Sequence, residues 1–185
     1  NKIAYHLPAM GGLTMGVSVQ DSGTNTGTDT TQYGARYAAS LAGDTAVTLG
    51  AAVSNTSDAT SVDVDSQNLG VKVVNGSLTV ALSQSHTDSV NDDIKNNALA
   101  VSYVMANGVT VGAYTFKSED DVDTAEEYSS AGVEIQYTVA AGLTAVINFD
   151  EYEYTAATTN AAGVAQGTST PDKGDNAKLT LKASF

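Results

Sequence analysis

The chain has 185 residues, with 21 acidic against 8 basic side chains and a formal net charge of −13, a balance that argues against nucleic-acid partners because phosphate contacts need clustered Lys and Arg. It has no Cys and two His, His6 and His86, which excludes a disulfide framework, thiolate chemistry and a His-rich metal or catalytic cluster. No apolar run reaches the roughly 20 residues of a membrane helix, although a spanning β-strand needs only about 9–11 residues of alternating pattern.

The first element, NKIAYHL, opens on Asn1 already inside a strand-like stretch and carries no signal peptide, as expected of a processed or shortened polypeptide. In LTMGVSVQ, Leu13, Met15, Val17 and Val19 face one way and Thr14, Gly16, Ser18 and Gln20 the other. YGARYAAS sets Tyr33, Ala35, Tyr37 and Ala39 against Gly34, Arg36, Ala38 and Ser40. TAVTLGAAVS alternates Val47, Leu49, Ala51 and Val53 with Thr48, Gly50, Ala52 and Ser54. The same period of two recurs in NLGVKV, LTVALS, ALAVSYVM, AGVEIQYTV and LTAVINFD, and no stretch sustains a helical apolar stripe. In VTVGAYTFK, outward-facing Val109, Val111 and Ala113 leave Tyr114 and Phe116 on the polar side. Either a bulge flips these rings or they pack against a loop. The last element, DNAKLTLKASF, places Lys178 and Lys182 opposite Leu179, Leu181, Ala183 and Phe185. The total is eleven strand-like segments in one domain over residues 1–185.

The connections alternate in length. Short turns fall at PAMGG, AGD, NGS, NG and AAG, where Asn-Gly suits tight hairpins. Longer polar connections are predicted at 21–31, 55–65, 84–95, 118–127 and 155–175. A meander with short connections at one end and long ones at the other is the pattern of an antiparallel up-and-down transmembrane β-barrel, with an apolar lipid face and a polar lumen. Three features favour lipid contact over a soluble sandwich. The apolar face carries many small residues, such as Ala35, Ala39, Ala51 and Ala145. Tyr5, Tyr37, Tyr103, Tyr137 and Phe185 cluster on it near the short turns, as in an interfacial girdle. Gly16, Gly34, Gly50, Gly70, Gly112 and Gly132 share the polar face, which suits either a concave wall or a series of bulges.

The segment NKIAYHLPAMGGLTMGVSVQ resembles the strand–turn–strand that follows the inward-folded third loop in general diffusion porins of Gram-negative bacteria. The terminal LKASF is similar to the closing strand of that family. The resemblance implies a passive channel for ions and small polar solutes in the bacterial outer membrane, with no enzymatic activity and no cofactor. It also implies a homotrimer in contact with outer-membrane lipid and lipopolysaccharide, long loops outside and the C-terminus in the periplasm. Phe185 then acts as the insertion signal read by the barrel-assembly machinery. Eleven strands would close only through a parallel seam, whereas single-chain bacterial barrels have even, antiparallel strand numbers. The expectation is therefore part of a sixteen-stranded barrel, lacking its first strands and constriction loop.

On lumen parity stand Lys2, His6, Arg36, Lys72, Lys178 and Lys182, with Glu134 and Asp150 as acids. These are the candidate pore-lining residues, because lumen charge sets the local potential and hence ion preference. In the resembling family basic wall residues oppose acids on the constriction loop, and Arg36 and Lys72 are the candidates for that wall. The negative net charge favours cations. The acidic run Glu119, Asp120, Asp121 and Asp123 is a weak calcium candidate that lacks the EF-hand's Gly and bidentate Glu; a solvated loop is the plainer reading. Glu151 and Glu153 have lipid-face parity and are expected above the hydrocarbon. Three rivals remain. Ser85, His86 and Asp88 in SQSHTDS suggest an outer-membrane enzyme, although triads are defined by geometry rather than by adjacency. The others are an autotransporter-type translocator or adhesive barrel, and a soluble β-sandwich.

Overall fold

A computed structural model describes residues 2–21, 28–58, 63–89, 92–120, 126–159 and 165–183. The strands are β1 (Lys2–His6), β2 (Leu13–Gln20), β3 (Thr28–Ser40), β4 (Thr45–Asp58), β5 (Val64–Asn75), β6 (Leu78–Asp88), β7 (Asp93–Val104), β8 (Thr110–Asp120), β9 (Glu126–Ala140), β10 (Leu143–Thr155), β11 (Ala157–Thr159), β12 (Ala165–Thr168) and β13 (Asp172–Ala183). The first ten strands and β13 form one eleven-stranded antiparallel sheet in chain order, while β11 and β12 form a separate hairpin. The described strands thus match the eleven alternating segments. The small hairpin inside the longest connection carries no alternation long enough to announce it.

The strands run well beyond the segments legible in the sequence. Thr28–Thr31 belong to β3, Gln84–Asp88 to β6, Asp93–Lys95 to β7 and Ser118–Asp120 to β8, all within stretches expected to be loop. Polar residues here continue the hydrogen-bond ladder: Thr30 Oγ1 lies 3.1 Å from Thr56 Oγ1, and Ser66 Oγ lies 3.1 Å from Thr87 Oγ1. A ladder needs paired backbones rather than apolar side chains, so a polarity-based boundary stops too early.

At the short-turn end backbone geometry does the reversing. Asn75-Gly76 joins β5 to β6 with Gly76 at φ 55°, the left-handed conformation a tight hairpin requires. Gly12 has φ 88°, and its carbonyl accepts a 2.9 Å hydrogen bond from Ala38 N. A Cβ there would stand 2.1 Å from the Ala38 oxygen, so the approach of this turn to β3 admits only glycine.

The sheet has almost no core. Val146, 1% exposed, is the one buried apolar residue among those described, whereas Leu179 (66%), Leu181 (65%), Leu69 (59%) and Leu82 (52%) lie open on the apolar face. A soluble sandwich of this size hides such residues, and that expectation is set aside. Among the described residues the edges are open as well: β1 pairs only with β2, and β13 only with β10. In hydrocarbon an unpaired edge costs several kcal/mol per backbone group.

Adjacent strands are also staggered. Following directly paired residues from Tyr37 leads through Leu49, Val71, Leu82, Leu99, Thr115, Ala131 and Glu151 to Asp175. That path climbs from near the short-turn end of β3 to near the opposite end of β13, the drift that tilted barrel strands produce.

Candidate functional site

Alternation creates two faces but does not say which is concave. The structure answers with an open cavity of about 1000 Å³ whose lining includes Lys2 and His6 of β1, Arg36 of β3, Gly70 of β5, Asn96 of β7 and Phe116 of β8. Strands this far apart in the sheet border one space only if the sheet curls around it. Residues of the other parity, such as Met15, Tyr33 and Leu69, also border it, but those of the outermost strands, Lys2, Ala4 and His6 of β1 and Phe116 of β8, all have polar parity, which makes the polar face the hollow one.

Residue by residue, the candidates fall as follows. Lys2 and His6 stand on edge strand β1, with Lys2 Nζ 3.5 Å from Gln32 Oε1. The His6 ring covers Gly16, where a Cβ would lie 2.8 Å from Nδ1. Arg36 pairs with Gly50, Gly50 with Gly70, and Gly70 with Ser83, so the guanidinium rises beside a floor almost without side chains. Lys72 faces Thr48 and Ala81. Arg36 and Lys72 are exposed and make no ion pair among the described residues.

The two acids are held differently. Glu134 Oε2 accepts from Asn148 Nδ2 at 2.9 Å, and Asp150 Oδ2 accepts from Asn176 Nδ2 at 3.2 Å. Both are half-buried, with amide partners but no cation among the described residues. Lys178 and Lys182 share this face on edge strand β13, opposite Asn148 and Thr144.

The rings of β8 settle a question left open by alternation. β8 pairs with β7 and β9 without a register shift, so no bulge turns Tyr114 or Phe116 away. Among the described residues they rest on β9 rather than on a loop. Tyr114 lies over Gly132, where a Cβ would meet its ring at 2.8 Å, and Phe116 stands 6.0 Å from Tyr128. The bulge reading of the lumen glycines fails too, because the described register of the large sheet breaks only at Leu143/Thr144. Sequence reasoning passed over Tyr128, Tyr152 and Tyr154, which join this wall. The signal was present in YEYT, whose two tyrosines share parity with Asp150.

On the opposite, apolar face Tyr5, Tyr37, Tyr103 and Tyr137 are exposed near the short connections; Phe185 lies outside the described residues. Toward the other end this face becomes polar and charged. Lys173 Nζ meets Glu153 Oε2 at 2.8 Å, Lys117 Nζ meets Glu119 and Glu127 at 2.6 and 3.2 Å, and His86 Nε2 meets Asp93 Oδ1 at 2.6 Å. Glu151 pairs with Asp175 one row nearer the middle of the strands.

Two clusters read from the sequence are spread out by their strands. Strand β8 sends Glu119 and Asp120 to opposite faces, and Glu119 is taken up by Lys117; Asp121 and Asp123 lie outside the described residues. No metal-holding cluster occurs among the described residues. Likewise Ser85 faces the hollow, where its Oγ accepts from Asn96 at 3.1 Å, while His86 points outward to Asp93 rather than to Asp88. A catalytic triad cannot be assembled across a strand.

Comparison with known proteins agrees with this architecture. The family model described as Gram-negative porin matches residues 1–157. Among solved structures the chain is similar to the anion-selective porin from Comamonas acidovorans, with a TM-score of 0.75 and 16% identity, over 100% of this chain and 59% of that one. The chain therefore spans 59% of that porin's length, and at this identity the likeness is one of fold. A search of curated protein sequences returned no match.

Proposed function

Since the chain belongs to the Gram-negative porin family, whose members reside in the outer membrane, we propose that it supplies much of the wall of a water-filled channel for passive diffusion of ions and small polar solutes. One observation carries the reading: the polar face is concave around about 1000 Å³ while the apolar face is exposed. Only a solvent arrangement with lipid outside and water inside satisfies both faces. The open edges of β1 and β13 are consistent with further strands of a longer polypeptide completing the barrel. The family points to a channel rather than an enzyme.

In this reading Lys2, His6, Arg36, Lys72, Glu134, Asp150, Lys178 and Lys182 line the pore. Arg36 and Lys72 form a basic wall, and Glu134 and Asp150 an acidic one, so that a transverse field orders water between them. Tyr5, Tyr37, Tyr103 and Tyr137 anchor the periplasmic interface, with Phe185 as the insertion signal for the barrel-assembly machinery. The ionic belt of β7–β10 and β13 lies above the hydrocarbon among lipopolysaccharide headgroups, the long connections are extracellular, and the assembly is a homotrimer.

Single-channel recording of the native, full-length protein tests this reading. Open steps grouped in threes are expected, and the reversal potential in a KCl gradient reports whether the basic wall or the acidic mouth dominates. A folded, inserted protein that passes no current would sink the channel.

A further inference from the structure

The acidic wall contains more than charge. Phe116 and Tyr128 have ring centroids 6.0 Å apart at 54°, and Tyr128 and Tyr152 are stacked, 6.4 Å apart at 17°. Directly paired residues explain the cluster: Phe116 pairs with Ser130, and Ser130 with Tyr152. Small Ser130 thus sits between two rings, and Tyr128, two residues earlier on β9, bridges them. Tyr114 lies over Gly132, and Tyr152 over Gly174, where a Cβ would meet ring carbons at 2.6–2.9 Å. The tip of each tyrosine ring thus reaches across a glycine backbone on the polar face, where no side chain stands in its way.

Carboxylates flank the rings. Asp150 pairs with Gly132, so it stands one strand beyond the backbone that carries the Tyr114 ring. Glu134 follows Gly132 on the same face of β9. At the other end Tyr154 Oη donates to Glu126. Glu126 and Gly132 are six residues apart on β9, which spans about 20 Å of extended strand. No Lys or Arg pairs with Asp150 or Glu134 among the described residues.

Resting on the channel reading above, we propose that Tyr114, Phe116, Tyr128 and Tyr152, with Asp150 and Glu134, form a binding track for small organic cations of the alkylammonium type. Such a cation suits both parts of the wall. Its alkyl groups and diffuse charge favour ring faces, to which a strongly hydrated metal ion binds poorly, and its charge answers carboxylates that lack a counter-ion. Binding is shallow enough for release, as passage through a pore requires.

The test is blockade of the full-length porin in a planar bilayer at low salt, with tetraethylammonium as probe and sucrose as neutral comparator, each variant being read against its own KCl current. Tetraethylammonium is expected to produce saturable blockade and sucrose none. Phe116→Leu combined with Tyr152→Leu keeps apolar bulk but removes two π faces. It should raise the half-blocking concentration about tenfold, and Asp150→Asn several-fold. Gly132→Ala, which pushes the Tyr114 ring off its seat, should weaken blockade without altering charge. Blockade unchanged by the ring substitutions, or equal blockade by sucrose, overturns the cation track. A protein that conducts KCl but is not blocked loses this inference alone, whereas one that carries no current loses the channel reading with it.

Discussion

Glycine does opposite things at two places on the polar face. On β3–β5, Gly34, Gly50 and Gly70 leave space: an added Cβ at Gly50 meets nothing within 4 Å, and exposed Arg36 and Lys72 stand beside this bare floor. On β9 and β13, Gly132 and Gly174 are seats, each covered by the tyrosine of a neighbouring strand. One region is thin, basic and unobstructed; the other is thick and aromatic, with Glu134 and Asp150 on β9 and β10 and Lys178 and Lys182 on β13. A lumen residue's role therefore depends on what its paired strand presents beside it, more than on its own identity.

That comparison assumes that both walls share the wet side, and the largest expected effect tests the assumption. Leu82 and Ser83 are neighbours on opposite faces of β6, and Leu82 is 52% exposed. Leu82→Arg should lower folding stability in bilayers by about 2–4 kcal/mol, whereas Ser83→Arg should cost little. Denaturant titration in lipid vesicles reads both, and equal costs would break the inside–outside assignment.

The basic wall is tested next. Arg36→Glu with Lys72→Glu reverses two charges without partners among the described residues. It should move the cation-to-anion permeability ratio on the order of tenfold toward cations at low salt, less as screening grows. A reversal potential that does not move places the two residues away from the narrow part of the pore.

The glycines sharpen the contrast directly. Gly132→Ala should destabilise by about 1 kcal/mol because the Tyr114 ring must leave its seat. Gly50→Ala should be neutral or stabilise by a few tenths of a kcal/mol, since alanine loses less backbone entropy in a strand. Equal effects in the same titration would show that the two walls do not differ as described. The smallest effect belongs to the ionic belt. Lys173 is exposed beside Glu153, and Lys173→Ala should change stability by less than about 1 kcal/mol. A larger loss, seen in the midpoint of urea unfolding, would give the belt a structural role that an exposed ion pair does not supply.

Much of this was legible early, for local reasons. The parity of Leu13, Met15 and Val17 against Thr14, Gly16 and Ser18 survives unchanged in β2, because a side chain's face is a property of its own strand. The same holds for Arg36, Lys72, Glu134 and Asp150. The strand ends lie further out than the alternation suggests because Thr30, Thr56 and Thr87 extend the ladder without apolar neighbours to reveal it. Tyr114 and Phe116 were conspicuous but uninterpretable, since the glycine and tyrosine that receive them lie on β9. SQSHTDS and the acidic run of β8 carried little for one reason: adjacency in a strand separates side chains instead of gathering them.

By itself the amino-acid sequence determined the number of long strands, the two faces of each, the tight turns at glycine and the family resemblance that the comparisons bear out. All are set by period-two alternation and by backbone conformations within a few residues. The tertiary structure decided which face is hollow, which rings lie on which glycines, and which carboxylates have amide partners rather than cations. These depend on register and curvature, which arise only when strands far apart in the chain are laid side by side.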